Sequence, residues 1–532
     1  MGLEAPAKTF PLSRHSEQVP GAPGVGFART SSRVADLLGR LCWRRTSPPW
    51  NDRAPVREEL FGVERLEQHG ESLAAAQPVT ACPPIVRPLR RRLADNAAAL
   101  LTAYRASASE LERGRRVVPA AEWLLDNYHV VEEQIREIRD DLPPGYYRQL
   151  PKLASGPFAG YPRVFGLAWA FVAHTDSHLD LELLRRFIAA YQRVQPLSIG
   201  ELWAVAITLR IVLVENLRRL VDQIGQGRAE RAEADALADA LLTPGCAASA
   251  LATDIARRSP AALSEIFAAQ LARRLRDQDP KTNPALNWLD ERLQQQGSSV
   301  EQAVQHAQQR QGASNVSVRN VITSMRLISA IDWAKLFESV SLVDARLDAD
   351  GSFGRMDFPT RNLYRSAIEQ LARSAPLSEL AIAEQALAKA HSTAAPGILG
   401  EHWSEPGYHL IGGGRRAFEA HIGFRSPPSL WLGRLGGRLG ILGYVGATLL
   451  LSGLLLGVTV YVLQVPGLGD GGWQWLALVG ALFVPFSEAA VALVNRAVTG
   501  GVGAAILPGL ELADGIPEEL RTLVVVDRKS VV

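Results

Sequence analysis

Two histidines and an aspartate lie close together in the segment FVAHTDSHLD, as His174, Asp176 and His178. Imidazole and carboxylate groups are common zinc ligands. The segment leads into a predicted helix, however, and residues i and i+2 of a helix do not point to the same side. A helix cap formed by Asp176 and Ser177 before Leu179 is the simpler interpretation, because both side chains accept hydrogen bonds from free backbone N–H groups.

Two further clusters could hold a proton or a cation. His129 is followed one turn later by Glu132 and Glu133, which could form an acid/base pair, although a solvated helix face has the same composition. The run DADG at residues 348 to 351 resembles the start of a calcium-binding loop. It lacks a third acid before the glycine and a glutamate at the twelfth position, so an Asp/Gly turn is the preferred interpretation.

Two charged features bear on contact with a membrane. The first is a basic cluster that could touch anionic lipid, with a solvated helix start as the alternative; it consists of Arg87, Arg90, Arg91 and Arg92. The second is Glu488, which lies in a long apolar run, where an ionisable residue commonly has a function. A position near the cytoplasmic interface would make Glu488 an ordinary residue.

Composition excludes several classes of protein. The chain has 57 basic and 55 acidic residues and a net charge of +2, which is too balanced for a dedicated nucleic-acid-binding protein. Its three cysteines are far apart and show no CxxC spacing, as expected in a reducing compartment. No P-loop or Ser/His/Asp spacing occurs. We therefore predict no catalytic, cofactor-binding or metal-binding residue in this chain.

Two apolar stretches near the C-terminus predict a membrane anchor. Residues 439 to 463 are 25 uncharged residues, and 473 to 494 form the second stretch. A helix of that length reaches about 37 Å, more than the ~30 Å hydrocarbon core of a bilayer. Arginines precede the first stretch and follow the second, whereas the loop between them has no positive charge, so both flanks should be cytoplasmic. We predict transmembrane helices at 437–464 and 473–495.

The remainder predicts a mainly α protein, an irregular multi-helix region that is bundle-like or solenoid-like. Ser198 and Glu201 have capping-box spacing before an apolar helix that Arg210 interrupts, which favours a buried core helix over a third span. The helical period starts at Arg57, and Leu60 and Val63 should share its apolar face. Later helices are predicted near 229–242, 260–276, 284–295, 300–311, 316–347, 361–373 and 377–391. Strand signals are nearly absent before LRTLVVV at 520–526.

These signals divide the chain into successive parts. We predict a disordered segment at 1–55, a helical domain in two parts at 56–225 and 226–430, the two transmembrane helices, and the first strand of an incomplete α/β domain at 496–526. Residues 527–532, DRKSVV, look foreign to the rest of the chain.

The most specific signals are five long stretches at 56–77, 122–153, 160–177, 320–347 and 355–373. In this order they resemble the N-terminal region of cyclic β-1,2-glucan synthases. The resemblance covers residues 56 to 526. Motifs of this length are much more specific than a short signature.

The resemblance implies a cytoplasmic helical region ahead of two spans in the inner membrane, a periplasmic loop at 464–472 and a cytoplasmic C-terminus. In that family a glucosyltransferase domain follows, which uses UDP-glucose and a divalent cation such as Mg²⁺ or Mn²⁺, and then further spans and a phosphorylase-like domain. Residues 507–526 resemble the entry to the transferase domain, with LVVV as its first buried strand. The family's catalytic residues have no counterparts in this sequence. We expect a fragment whose gene model leaves the native sequence near Val526, which resequencing the locus would test.

Two hypotheses of function follow. In the first, the chain is the cytoplasmic and membrane-anchor portion of a cyclic β-1,2-glucan synthase that polymerises glucose from UDP-glucose. It would act as an inactive scaffold or regulatory region, with the bilayer and the missing transferase and phosphorylase-like domains as partners. In the alternative, it is a complete, non-enzymatic, membrane-anchored helical scaffold that binds another protein. Neither hypothesis includes a nucleic-acid partner or fixes an oligomeric state.

Overall fold

The fold is known from a computed structural model that describes most of the chain. The described residues are 53–115, 117–142, 144–242, 263–276, 283–350, 352–393, 404–463, 472–501, 507–511, 515 and 518. The predicted disordered segment 1–55 lies outside them except for residues 53–55. The predicted strand at 520–526 and the tail at 527–532 lie outside them as well.

Eighteen α-helices dominate the described residues, which confirms the mainly α class. In chain order they are α1 Val63–Ala76, α2 Leu89–Glu112, α3 Pro119–Asp141, α4 Pro144–Gln149, α5 Arg163–His174, α6 Leu181–Val194, α7 Ile199–Leu242, α8 Glu265–Arg276, α9 Asn283–Gln294, α10 Val300–Ala330, α11 Trp333–Val340, α12 Leu342–Leu347, α13 Phe358–Ala372, α14 Glu379–Thr393, α15 Pro406–Leu410, α16 Arg415–His421, α17 Pro428–Leu463 and α18 Trp473–Gly501. Two 3₁₀ turns, Asp348–Asp350 and Phe353–Arg355, separate α12 from α13.

The described residues also contain one small antiparallel sheet. Strand β1, Val79–Thr80, pairs with β2, Lys152–Leu153, so that Val79 lies opposite Leu153. The sequence did not predict these strands. Two residues are too few to show the alternation of apolar and polar side chains by which a strand is recognised.

The 44-residue helix α7 is the centre of the helical region. Its first half is apolar on nearly every side and buried, as expected for a helix without a polar face. Among the described residues, α2, α3, α5, α8 and α10 make its most extensive contacts, and α11 and α13 also pack against it. The sequence predicted an interruption near Gly225, but α7 continues through it. A glycine costs only about 1 kcal/mol in a helix interior and does not by itself end one. Gly227, two residues further on, is buried against Ile266 of α8.

A second cluster of buried residues joins the C-terminal half of α7 to α8, α9 and the start of α10. Ala234, Leu271, Leu289 and Ala303 are among its fully buried members. The predicted break between 311 and 316 is absent, because α10 runs unbroken for 31 residues. The single long helix predicted for 316–347 is instead three helices, since side chains begin new helices at Asp332 and Ser341.

The N-terminal part of the described chain departs from the predicted helix. Residues ahead of Val63 are not helical, and Leu60 and Val63 are exposed rather than on a buried face. Backbone hydrogen bonds explain the difference, since Glu58 N donates to Ala173 O and Phe61 N donates to His174 O. The segment therefore pairs with the end of α5 before α1 begins.

The last helices before the membrane hairpin form a separate layer. Helix α14 packs against α12, α13 and α15. The two long C-terminal helices, α17 and α18, pack against each other. Gly440 has a φ of 51° and kinks α17 at the start of its uncharged part, a conformation that glycine adopts without strain.

Candidate functional site

The predicted histidine and aspartate cluster forms a polar junction at the end of α5. His174 is buried and His178 is exposed, so the structure does not bring the two imidazoles together. Asp176 and Ser177 have φ angles of 49° and 63°. This left-handed backbone costs a non-glycine residue roughly 1–2 kcal/mol. Such a conformation persists only where the surrounding contacts hold it.

Hydrogen bonds from two helices hold this junction. Ser317 Oγ of α10 donates to Asp176 Oδ1 at 2.5 Å, and Asn320 Nδ2 donates to the Asp176 carbonyl oxygen at 3.1 Å. Asn216 Nδ2 of α7 donates to Ser177 Oγ at 2.8 Å. The junction therefore ties α5 to α7 and α10. Among the described residues, no group of three or more metal-binding side chains is arranged to hold an ion.

The predicted helix cap at Asp176 and Ser177 was wrong. Helix α6 is capped by Asp180, whose Oδ1 accepts a hydrogen bond from Leu183 N at 2.8 Å. The reason is that Asp176 and Ser177 already bond residues far away in the sequence. A cap signal is local, so it could not show that these side chains were engaged elsewhere.

Helix α7 carries buried charges that other helices neutralise. Arg163 donates to both carboxylate oxygens of Glu201, at 2.9 and 2.5 Å. Glu215 accepts from Arg92 at 2.9 and 2.8 Å and from Arg219 at 2.9 Å. Burial alone would raise the pKa of Glu215, but hydrogen bonds from these two arginines lower it below its usual value. The carboxylate is therefore ionised and part of the core.

Two local predictions for α7 are confirmed. Ser198 and Glu201 form the reciprocal bonds of a capping box, with Glu201 N donating to Ser198 Oγ and Ser198 N donating to Glu201 Oε2. Arg210 is buried and donates to Gln134 at 3.0 Å, with Glu137 2.8 Å away. These partners allow an arginine in an apolar core helix, and α7 is not one of the candidate spans.

The basic cluster divides in the structure. Arg87, Arg90 and Arg91 are exposed, whereas Arg92 is buried against Glu215. Arg87 also forms an ion pair with Asp95 of α2. Arg92 is therefore part of the buried core and is not available to contact lipid. Arg90 and Arg91 are left as the freely solvated members of the cluster.

The other two candidate clusters lie on the surface. His129, Glu132 and Glu133 are all exposed along α3, in the arrangement of a solvated helix face. Asp348 begins a 3₁₀ turn, and its Oδ1 accepts a hydrogen bond from Gly354 N at 2.7 Å. Residues 348–350 therefore form a turn, and Gly351 of the predicted turn lies outside the described residues.

Two groups with altered acidity were missed by the sequence. Glu379 Oε2 accepts from Ile199 N at 2.6 Å and so caps α7 from another helix. Burial raises the pKa of Glu379 to about 7. Burial also lowers the pKa of Lys152 to about 8, and Lys152 Nζ donates to the Tyr147 carbonyl oxygen at 2.5 Å. Neither environment could be inferred locally, since each depends on distant parts of the chain.

Helices α17 and α18 form an apolar hairpin. They contain segments long and apolar enough to cross a membrane, at Gly440–Thr459 and Ala477–Gly500. Tyr444 Oη donates to Asn495 Oδ1 at 2.9 Å and fixes the relative height of the antiparallel helices. Seven residues further towards the loop on α17 is Leu451, and seven residues nearer the loop on α18 is Glu488. Each step is about 10 Å along a helix, so Glu488 and Leu451 lie at the same level. Glu488 is exposed and level with the middle of the uncharged run, not with its end.

The chain after the hairpin returns to the helical region. Leu510 forms an isolated antiparallel bridge with Met356, ahead of α13. Asp357 N donates to Gly509 O at 3.1 Å, and Gly509 N donates to Thr360 Oγ1 at 2.8 Å. Glu511 N also donates to Arg355 O at 2.9 Å. We call residues 507–511 the return segment.

A multi-helix region joined to an apolar two-helix hairpin defines a membrane-associated helical protein. No protein-family model matches its sequence. Among curated proteins, the chain is similar to the cyclic beta-(1,2)-glucan synthase NdvB of Rhizobium meliloti (strain 1021), with 37% identity over 481 residues. The similarity covers 88% of this chain and only 17% of that synthase. The chain is a partial homologue of the synthase and corresponds to its N-terminal part.

Proposed function

We propose that the chain is the cytoplasmic helical region and first membrane hairpin of a cyclic β-1,2-glucan synthase that polymerises glucose from UDP-glucose. The similarity along 481 residues supports the assignment to this kind of enzyme. The proposed role of the helical region is that of a scaffold. It holds the polypeptide that leaves the second span against the cytoplasmic face of the inner membrane.

The observation that carries this proposal is the return segment. Residues 507–511 follow the hairpin, yet they form backbone hydrogen bonds with Arg355 and Asp357, which precede it. This contact supports an arrangement in which both ends of the hairpin lie on one side of the membrane. The positive-inside rule assigns that side to the cytoplasm, so loop 464–472 would be periplasmic.

Aromatic residues at the loop end of the hairpin support its proposed position across the membrane. Tyr461 and Trp473 lie at the loop ends of α17 and α18 and are exposed. Amphipathic rings are enriched at the membrane–water interface. Arg496 lies near the opposite end of α18, where a positive charge fits the cytoplasmic interface.

If the helical region is a scaffold, the glucosyl transfer would occur in another domain. UDP-glucose and a divalent cation such as Mg²⁺ or Mn²⁺ would bind in a transferase domain, whose entry residues 507–526 resemble. The bilayer, the transferase domain and the phosphorylase-like domain are the proposed partners. The buried charges of the helical region would then position these parts and would not react, since Glu201 and Glu215 are each held by arginines.

The topology of the hairpin is tested by labelling introduced cysteines from the outside of intact spheroplasts. In a background lacking Cys42, Cys82 and Cys246, a membrane-impermeant maleimide should label Leu468→Cys in spheroplasts. It should label Glu511→Cys only after the membrane is opened. Labelling of Glu511→Cys from outside would overturn the proposed orientation.

Activity is tested with radiolabelled UDP-glucose. Membranes containing residues 1–532 should incorporate no more glucose into protein or oligosaccharide than membranes without the chain. Incorporation above that background would contradict the scaffold role and point to an active centre within this sequence.

A further inference from the structure

A groove of about 400 Å³ lies between α7, α8 and α10, away from the hairpin and the return segment. Its walls are partly apolar, with Ile224, Ile266 and Val304 among them, and the buried Ala272 also belongs to its lining. Gly227 lets α7 approach α8 closely, because a Cβ there would lie 3.1 Å from Ile266 Cδ1. This volume falls in the range of pockets that hold small molecules.

Basic side chains line the groove. Four arginines and no acidic residue belong to its lining in the part of the chain that the structure describes; the four are Arg231, Arg273, Arg276 and Arg310. Two of them are neutralised from outside the groove. Arg276 pairs with Glu301 at 2.7 Å, and Arg310 pairs with Glu265 at 2.8 Å.

The other two arginines of the groove are not paired with an acidic residue in the described structure. Within the described residues, Arg231 and Arg273 have neither an ion pair nor a hydrogen-bonded partner. Burial lowers the pKa of Arg231, and Arg228 adds to this, while Glu230 and Asp235 oppose it. Glu230 accepts a hydrogen bond from Ser264, and Asp235 accepts one from Gln270. A partly buried cation without a close anion is costly, and an anionic ligand would remove that cost.

The groove also contains an unused hydrogen-bond acceptor. Gln223 belongs to its lining, and the side-chain oxygen Oε1 is buried without a partner in the described structure. Leaving such an atom unsatisfied costs free energy. A ligand that fills the groove should therefore carry an N–H or O–H group as well as negative charge.

We propose that this groove binds a nucleoside phosphate. The phosphates contact Arg231 and Arg273, the ring of the nucleoside packs against Ile224, Ile266 and Val304, and an N–H or O–H group of the nucleoside donates to Gln223 Oε1. Each part of the ligand then meets a feature that the groove provides. The inference is independent of the proposed scaffold role, because it uses no residue of the hairpin or the return segment.

Calorimetric titration of the full chain in detergent micelles tests this proposal, with ADP, UDP and inorganic pyrophosphate as probes. At least one nucleoside diphosphate should bind about tenfold more tightly than pyrophosphate, because only the nucleoside contacts the apolar walls. Arg273→Gln should weaken nucleotide binding about tenfold or more. This arginine is exposed, so the variant should fold normally. Arg231→Gln should have a similar effect.

Two further variants make the test specific. Gln223→Leu removes the acceptor and should weaken nucleoside diphosphate binding without changing that of pyrophosphate. Arg90→Gln removes an exposed charge outside the groove and should change neither. Three results would overturn the proposal: no binding of ADP or UDP at millimolar concentration, pyrophosphate binding as tightly as either, or an equal loss with Arg90→Gln.

Discussion

Met356 and Leu510 form an antiparallel bridge, although both hairpin helices lie between them in the sequence. The bridge is extended by hydrogen bonds of Asp357 with Gly509 and of Glu511 with Arg355. A chain that enters and leaves a membrane on one side can make such a contact, whereas a chain with a single span cannot. The return segment thus links the helical region directly to whatever follows the hairpin.

Thr360→Val should release the return segment. The substitution keeps the buried shape but removes the oxygen that accepts from Gly509 N, which should cost about 1–3 kcal/mol at this contact. Hydrogen–deuterium exchange of residues 507–511 should become faster. Thr323→Val is a suitable control, because the Thr323 hydroxyl bonds only the backbone of its own helix. Unchanged exchange in Thr360→Val would mean that the contact does not hold the segment.

Glu215→Leu should strongly destabilise the helical region. It leaves Arg92 and Arg219 buried without their carboxylate, and breaking such a network typically costs about 3–5 kcal/mol. Chemical denaturation followed by circular dichroism measures the change. Glu59→Gln, which breaks the exposed pair with Arg65, should change stability little. Similar losses in the two variants would show that burial of the Glu215 network is unimportant.

The stability of the helical region should fall as pH rises from about 4.5 to about 7 through Glu379. The pKa of this carboxyl is raised by burial from 4.5 to about 7 in the folded protein. The unfolded state therefore releases its proton first, and the lost stability is at most about 3 kcal/mol. Glu379→Gln should remove this component and keep an acceptor for Ile199 N.

Thermal unfolding at pH 5 and pH 8 measures the effect of Glu379. The Glu379→Gln variant should gain stability over the unmodified chain at pH 8 and little at pH 5. Glu384→Gln, on the same helix but exposed, should leave the pH dependence unchanged. The Glu379 assignment fails if the two variants show the same pH dependence.

Lys152 should react with acylating reagents at a lower pH than an ordinary lysine. Burial lowers the pKa of its amine to about 8, so about half of it is neutral and nucleophilic at that pH. Mass spectrometry after brief acetylation between pH 7 and pH 10 gives the midpoint. A free lysine peptide in the same reaction is the control. An identical midpoint for Lys152 and the peptide would contradict the effect of burial.

Local signals in the sequence predicted much of the fold. The helix near 284–295, the capping box of Ser198 and Glu201 and the uncharged run at 439–463 each depend on residues within one element. All three are present, in α9, α7 and α17. The glycines of α7 and α10 misled the prediction, because a glycine costs only about 1 kcal/mol in a helix interior and does not by itself end a helix.

The sites could not be predicted in the same way, because they join distant residues. Asp176 is bonded by Ser317, and Glu215 is bonded by Arg92 on another helix. The cap of α7 shows the same limit, since Glu379, which accepts from Ile199 N, comes from α14. A sequence pattern carries no information on which helices will meet.

The contact between the helical region and the return segment is tested most directly by disulfide formation. In a background without native cysteines, Met356→Cys and Leu510→Cys should cross-link within one chain in isolated membranes under mild oxidation. Residues opposite each other in an antiparallel pair are close enough for a disulfide. The control pair Met356→Cys with Leu454→Cys, which lies in the apolar part of α17, should not cross-link. Absence of the Met356–Leu510 cross-link, or its formation only between chains, would contradict the proposed scaffold.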